Sequence, residues 1–201
     1  WSFSNFAFAI SLPTERIEAI LAGMVAAFEF FGCVAHEGWW DNPRTVATSI
    51  LRGRERQMNH RYAALASHYG FEPLFCMPRM ATEKPAVEHK VYDLQRRWCT
   101  PVPKVQDHED LNAYLRRCCL ADLDRTCAGQ SQTIGQRFAL DKAAALALPI
   151  HAFDPCIREF KKTDKFQTVA FDCNRYSVPR CWAFQAVTVK AYVDRIEILA
   201  N

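Results

Sequence analysis

The sequence predicts an α/β protein with helices packed on the faces of a sheet, followed by a helical connector and a small β-barrel. Three observations predict it. Strand-like and helix-like segments alternate through the first hundred residues, prolines and charges cluster over residues 100–110, and after Phe166 hydrophobic periodicity changes from helical spacing to alternation. The chain therefore divides into residues 1–100, 101–160 and 161–201. With 201 residues, 50% of them hydrophobic, it is long enough to bury a core. Seven glycines, ten prolines and no repeated tract exclude a collagenous or low-complexity chain.

Trp1, Phe3, Phe6, Phe8 and Ile10 are interspersed with small residues, which predicts a strand with one buried face. Pro13 and Thr14 introduce Ile17, Ile20, Leu21, Met24, Val25 and Phe28, the spacing of a helix with one apolar stripe, and Gly32 stops it. Residues 33–40 read as a second strand. Asp41, Asn42 and Pro43 end it, since proline cannot continue a central ladder, so Asp41 falls at a strand's carboxyl end. The basic residues 52–61 run into a helix marked by Met58, Tyr62, Leu65 and Tyr69 and closed by Gly70, and residues 71–76 form the next strand. Pro85 suits a first helical turn, and Val87, Val91, Leu94 and Trp98 then mark a buried stripe with Glu88 at its edge.

Beyond residue 110, Leu111, Leu115, Cys118 and Cys119 predict one helix, and Ile134, Phe138, Ala145 and Leu146 a second that ends at Pro149. In the last segment Thr168, Val169, Phe171, Tyr176, Val178, Val187, Val189, Tyr192, Ile196 and Ile198 follow the period of strands. Residues 172–174 and 194–195 are its expected turns, because Asp and Asn tolerate tight-turn backbone.

The formal charge of +3, from 25 Lys+Arg against 22 Asp+Glu, selects neither a nucleic acid nor a neutral partner. The longest apolar stretch, residues 17–31, contains Glu18 and Glu29 and is too short and too charged to cross a bilayer, so no membrane partner and a soluble, cytoplasmic protein are expected. Nine cysteines without Cys-x-x-Cys spacing point to a reducing compartment. No basic segment followed by an apolar run opens the chain, so no secretory leader is expected, and a first residue of Trp1 rather than Met suggests processing or a fragment. The six histidines lack metal-ligand spacing, and the absence of a Gly-rich phosphate loop argues against nucleotide hydrolysis. Trp39 and Trp40 read as core and sheet-surface aromatics rather than a base-stacking platform, because they continue a buried strand.

The chemically informative pair is Asp41 at a strand end and Glu88 at a helix start, which one sheet would bring together. Carboxylates converging on a crevice bind hard cations such as magnesium, and two such ions activate an attacking oxygen while stabilising a leaving one, as phosphodiester chemistry requires. Spacing alone leaves a second reading open, since Asp is a common turn residue and Glu is favoured at helix starts by the helix dipole.

Five blocks carry more information: AFEFFGCVAHEGWWDN (residues 27–42), GRERQMNHRYAALASHYGFEPLFCMPR (53–79), EKPAVEHKV (83–91), FDCNRYSVP and KAYVDRIEI. In this order they resemble the IstA-type insertion-sequence transposases, which share a ribonuclease-H-like catalytic core with retroviral integrases, and the likeness covers essentially the whole chain. The resemblance implies that residues 1–100 are a partial integrase-type core, that Asp41 is the second catalytic aspartate and that Glu88 is the catalytic glutamate, both metal ligands. It also implies a two-ion Mg2+ (or Mn2+) site, double-stranded DNA (transposon ends and target) as substrate, a homo-oligomer on DNA and an IstB-type helper ATPase.

Lys84, one turn before Glu88, is placed to hold a phosphate, with Arg52, Arg54, Arg56 and Arg61 as a flanking basic surface; a solvated charged face is the alternative. A second basic run, Arg158, Lys161, Lys162 and Lys165, reads equally as a grip on the transposon end or as a solvated linker. The family's first aspartate belongs to a strand upstream of the one that residues 1–10 resemble, and residues 1–40 contain no Asp. The chain is therefore expected to be truncated at its N-terminus and to show little or no strand transfer alone. Pro85, where the family usually has Gly, and Pro43, where it has an aliphatic residue, fit drift after relaxed selection. A non-catalytic DNA-binding or assembly fragment and an inert remnant are the alternatives.

Overall fold

The apolar positions of Ile17–Phe31 recur at helical spacing, and the segment is helix α1. Gly32 closes it in the left-handed region (φ 67°), its N–H donating to the Phe28 carbonyl at 2.8 Å. The computed structural model describes residues 1–41, 43, 45–50, 56–76 and 85–200. After α1 come β1 (Glu37–Trp40), the antiparallel pair β2 (Ala47–Ile50) and β3 (Arg56–Met58), helix α2 (His60–Tyr69) and β4 (Glu72–Phe75). Strands β1 and β4 are parallel, with Trp40 opposite Phe75, and parallel neighbours need a long crossover, here containing β2, β3 and α2.

Burial of apolar area holds this region together. Leu21, Val25 and Phe28 of α1 meet Tyr62, Leu65 and Tyr69 of α2, with Phe71 and Phe75 beneath them. Trp40 donates its indole N–H to the Tyr62 hydroxyl, and burial pushes the Tyr62 phenol up to about 12 against the lowering effect of that bond. Gly38 is required by a close approach, because a Cβ there would lie 3.0 Å from the Phe71 ring.

Three expectations for this half are corrected. Met58 does not belong to α2: it ends strand β3, and the helix starts at His60 after its Asn59 cap. Residues 1–10 are not a strand: residues 2–4 form a turn, and the rest makes no ladder with the described residues. Their aromatic rings pack instead, Phe6 against Phe138 at 4.7 Å and Phe8 against Phe30 at 4.9 Å between centroids. Apolar alternation specifies a buried face, whereas a strand also needs a neighbouring backbone to pair with. Residues 33–36 do not extend β1 either, since Val34 makes an isolated bridge to Leu146, with both N–H to carbonyl distances 2.9 Å.

Helices α3 (Pro85–Trp98), α4 (His108–Ala121) and α5 (Ile134–Ala144) follow, with a 3₁₀ turn at Asp122–Asp124; α4 occurs where the spacing places it, whereas α5 starts at Ile134 as expected but stops at Ala144, since Ala145 is extended and Leu146 bridges Val34. Trp98 of α3 packs on Leu115 and Cys119 of α4. Of the described residues in the apolar stripe of α3, Trp98 is buried, Leu94 is half-buried and Val91 is 48% exposed. The side of α3 that faces the 3₁₀ turn carries Lys90 and Arg97, and charge pairing replaces apolar contact there.

The C-terminal strands are β5 (Ile157–Lys162), β6 (Thr168–Phe171), β7 (Asn174–Ser177), β8 (Ala186–Ala191) and β9 (Ile196–Ala200). They do not close into a barrel. An antiparallel β5-β8-β9 sheet and a separate β6–β7 hairpin share a core of Val169, Val187 and Val189. Period-two alternation specifies an inward face, but closure requires edge strands to bond to each other, and here β6 and β7 pair only with one another. The hairpin turns at Asp172 (φ 45°) and Cys173 (φ 62°), as a two-residue turn with both central residues left-handed requires. The basic run lies on strand β5 and beyond it, not on a linker leading into a sheet that begins at residue 161.

Candidate functional site

Main-chain pairing positions Asp41. The ladder of β1 with β4 runs to its last residues, where the Cys76 N–H donates to the Trp40 carbonyl at 2.9 Å, and Asp41 is the next residue. It stands at the carboxyl end of a parallel pair, where α/β sheets open their ligand crevices, and it is exposed. Exposure alternates through the strand: Glu37, Trp39 and Asp41 are exposed, while Gly38 and Trp40 are half-buried. The Trp39 indole N–H donates to Glu37 Oε2 at 2.9 Å along this outer face.

Glu88 is in the first turn of α3, and its side chain, like that of Arg56 on β3, lies outside the described atoms. Lys84, Arg52 and Arg54 lie outside the described residues. Among the described residues no group of three or more His, Cys, Asp or Glu side chains could hold a metal ion. The donor chemistry of two carboxylates nevertheless fits magnesium, which takes hard oxygens and fills much of its shell with water and phosphate oxygens.

Arg61 is turned inward. Its Nη2 donates to the Asp154 carbonyl at 2.7 Å, its guanidinium lies 4.9 Å from the Phe153 ring centre, and its buried Nε has no hydrogen-bond partner. Asn59 caps α2 by accepting the Arg61 N–H at 2.9 Å, which sets the direction in which that side chain leaves the helix.

Two other carboxylates are held by cations. Asp122, with 3% of its side chain exposed, accepts from Arg97 at 2.6 Å and Arg125 at 2.8 Å, with Lys90 at 4.0 Å. Burial works against its charge, but hydrogen bonds from Arg125 and Arg97 outweigh burial and hold the carboxyl down at about 2. Asp154 accepts from Arg158 at 2.8 Å and Lys190 at 3.0 Å. There too burial opposes the charged form, while bonds from Lys190, Tyr192 and Arg158 keep the carboxyl well below the ordinary range.

These pairings change the meaning of the C-terminal basic run. Arg158 and Lys190, opposite each other on β5 and β8, both serve Asp154, and Lys161 pairs with Glu159 at 2.7 Å. Lys162 stays exposed on the same strand face as Phe160, which is 80% exposed. Sequence reasoning missed both the Asp122 cluster and the exposure of Trp39. The cluster left little signal, because Arg97 and Asp122 are 25 residues apart. The exposure of Trp39 was readable from the alternation ending in Asp41.

Residues 148–201 match the family model for the Mu transposase C-terminal domain. The chain is 34% identical over 176 residues to a transposase for insertion sequences IS1326/IS1353 from Pseudomonas aeruginosa, an alignment covering 87% of this chain and 34% of that protein. It is 36% identical over 175 residues to a transposase from Aminobacter aminovorans, again covering 87% of this chain and 34% of the relative. A transposase for insertion sequence element IS21 from Pseudomonas aeruginosa is 26% identical over 201 residues, covering 99% of this chain and 51% of the relative. The chain thus spans from a third to a half of the length of these curated relatives.

Proposed function

Because this chain belongs to the IS21-like insertion-sequence transposases, we propose that it is the part of a DNA-cutting and DNA-joining enzyme that supplies the carboxylates Asp41 and Glu88 from a partial ribonuclease-H-like core. The observation that carries this reading is an exposed aspartate at the carboxyl end of a parallel strand pair, followed in the chain by a helix with glutamate in its first turn. Magnesium or manganese ions, when bound, would activate water and then a 3′-hydroxyl and offset charge on the leaving oxygen.

The chain's own contribution is positional. The β1–β4 ladder fixes the backbone of Asp41, α3 carries Glu88 in its first turn, and the two acids would hold the ions at the scissile phosphate. Lys84, Arg52, Arg54 and Arg56 hold flanking phosphates, while Arg61 braces α2 against residues 153–154. Two carboxylates without a third leave the ions poorly held, so the 201 residues alone should give little strand transfer. The wider assembly in this reading is a homo-oligomer on double-stranded DNA, working in the cytoplasm with an IstB-type helper ATPase. A second reading, a DNA-binding or assembly unit without catalysis, draws support from the match of residues 148–201 to a transposase C-terminal domain.

The test is duplex-DNA affinity with and without Mg2+ or Mn2+, for the chain and for Asp41→Asn and Glu88→Gln. Divalent ions should tighten binding severalfold for the chain and leave both variants unmoved. An equal gain in all three would exclude a metal site at these acids and leave the second reading.

A further inference from the structure

The outer face of β1 combines features that the two acids alone do not explain. Glu37, Trp39 and Asp41 follow one another on it, and Glu72 stands opposite Glu37 on β4, also exposed. Trp39 is 48% exposed. Its neighbour Trp40 turns the other way and is bonded to Tyr62 in the core, so the two tryptophans have separate tasks. The bond from the Trp39 N–H to Glu37 ties one edge of the indole back along the strand, limiting its rotamers while leaving the side chain half exposed.

We propose that Trp39 is a DNA-contacting residue whose indole stacks on an unpaired nucleobase close to the phosphodiester that Asp41 addresses. This rests on the reading of Asp41 as an active-site acid. Electrostatics favours a base over a phosphate at this position. Beside the indole, Glu37 and Glu72 repel a bare sugar-phosphate backbone, whereas the face of a base is uncharged and stacks on an aromatic ring whatever its sequence. Distance agrees as well. Two residues of strand advance about 6.6 Å, which is roughly two nucleotide steps of 3.4 Å along one strand. The stacked base is therefore within about two nucleotides of the reacting phosphate. Paired bases inside a duplex cannot offer a face, so the contact selects DNA that is frayed, gapped or carries a short single-stranded extension.

The experiment uses the full 201-residue chain with Mg2+ and two DNA probes, a blunt duplex and the same duplex with a two-nucleotide single-stranded extension containing 2-aminopurine. Binding of the chain and of Trp39→Phe should quench the 2-aminopurine fluorescence. Trp39→Ala should abolish the quench and weaken affinity for the extended probe ~5- to ~100-fold, the range expected for one base–aromatic stack, with blunt-duplex affinity unchanged. Far-UV circular dichroism of each variant should match the parent. Equal quenching and affinity for Trp39→Ala and the parent would overturn the stacking role while leaving the reading of Asp41 intact. Failure of the parent to bind either probe would remove that reading and this inference with it.

Discussion

Two regions of this protein use carboxylates in opposite ways. Where α3, α4 and the 3₁₀ turn meet, Asp122 is withdrawn from water and held by two arginines, with a lysine nearby. At the end of β1, Asp41 stands exposed on a face shared with Glu37, Trp39 and Glu72. The first arrangement satisfies its charges internally and has little left to offer a ligand. The second gathers negative charge at a strand end, which suits a site where cations or uncharged groups arrive from outside. A strongly shifted carboxyl is thus the mark of the structural joint in this molecule, and the proposed active-site acid is found through topology.

The sharpest way to break this contrast is to remove each acid in turn. Asp122→Ala removes the buried carboxylate that two arginines share, leaving Arg97 only its pair with Asp93 at 3.1 Å, and should cost about 3 kcal/mol in urea unfolding, whereas Asp41→Asn should change stability by less than about 0.5 kcal/mol. Equal losses would show that the strand end is also a structural joint.

Acid sharpens the same contrast. The Asp122 carboxyl is depressed from 3.8 to about 2 in the folded protein. Its stabilisation, about 2 kcal/mol, is therefore fully present above the unfolded value and is lost as pH falls toward about 2. Unfolding free energies measured between pH 5 and pH 2 should show this slope in the parent and a shallower one in Asp122→Asn.

Smaller effects test the scaffold beneath Asp41. Gly38→Ala should destabilise by about 1–2 kcal/mol, because the added methyl meets the Phe71 ring and either the ring or the strand must shift. Tyr62→Phe leaves the Trp40 indole N–H without its acceptor and should cost about 1 kcal/mol. Both are read as shifts in denaturation midpoint at constant slope. A milder outcome for either would mean that β1 is held by its ladder with β4 more than by the core behind it.

Local chemistry made much of this molecule legible in the sequence. Helical spacing between Ile17 and Phe28, with glycine stops at Gly32 and Gly70, predicted α1 and α2, because one apolar stripe and one left-handed cap are properties of neighbouring residues. Proline and polar residues after Trp40 likewise placed Asp41 at a strand end. Alternation in the last forty residues announced strands and the turn at Asp172.

Tertiary structure decided everything that needs a distant partner. Residues 1–10 carry the alternation of a strand but pack as rings against α1 and α5, since pairing depends on which backbone lies alongside. The C-terminal strands stay in two open sheets because their edges do not meet. Lys190 is neutralised by Asp154, 36 residues away in the chain, and Lys90 and Arg97 turn one side of α3 into a charged contact. Backbone preference and side-chain periodicity act over a few residues, whereas hydrogen-bond ladders and ion pairs join residues that only the folded chain brings together.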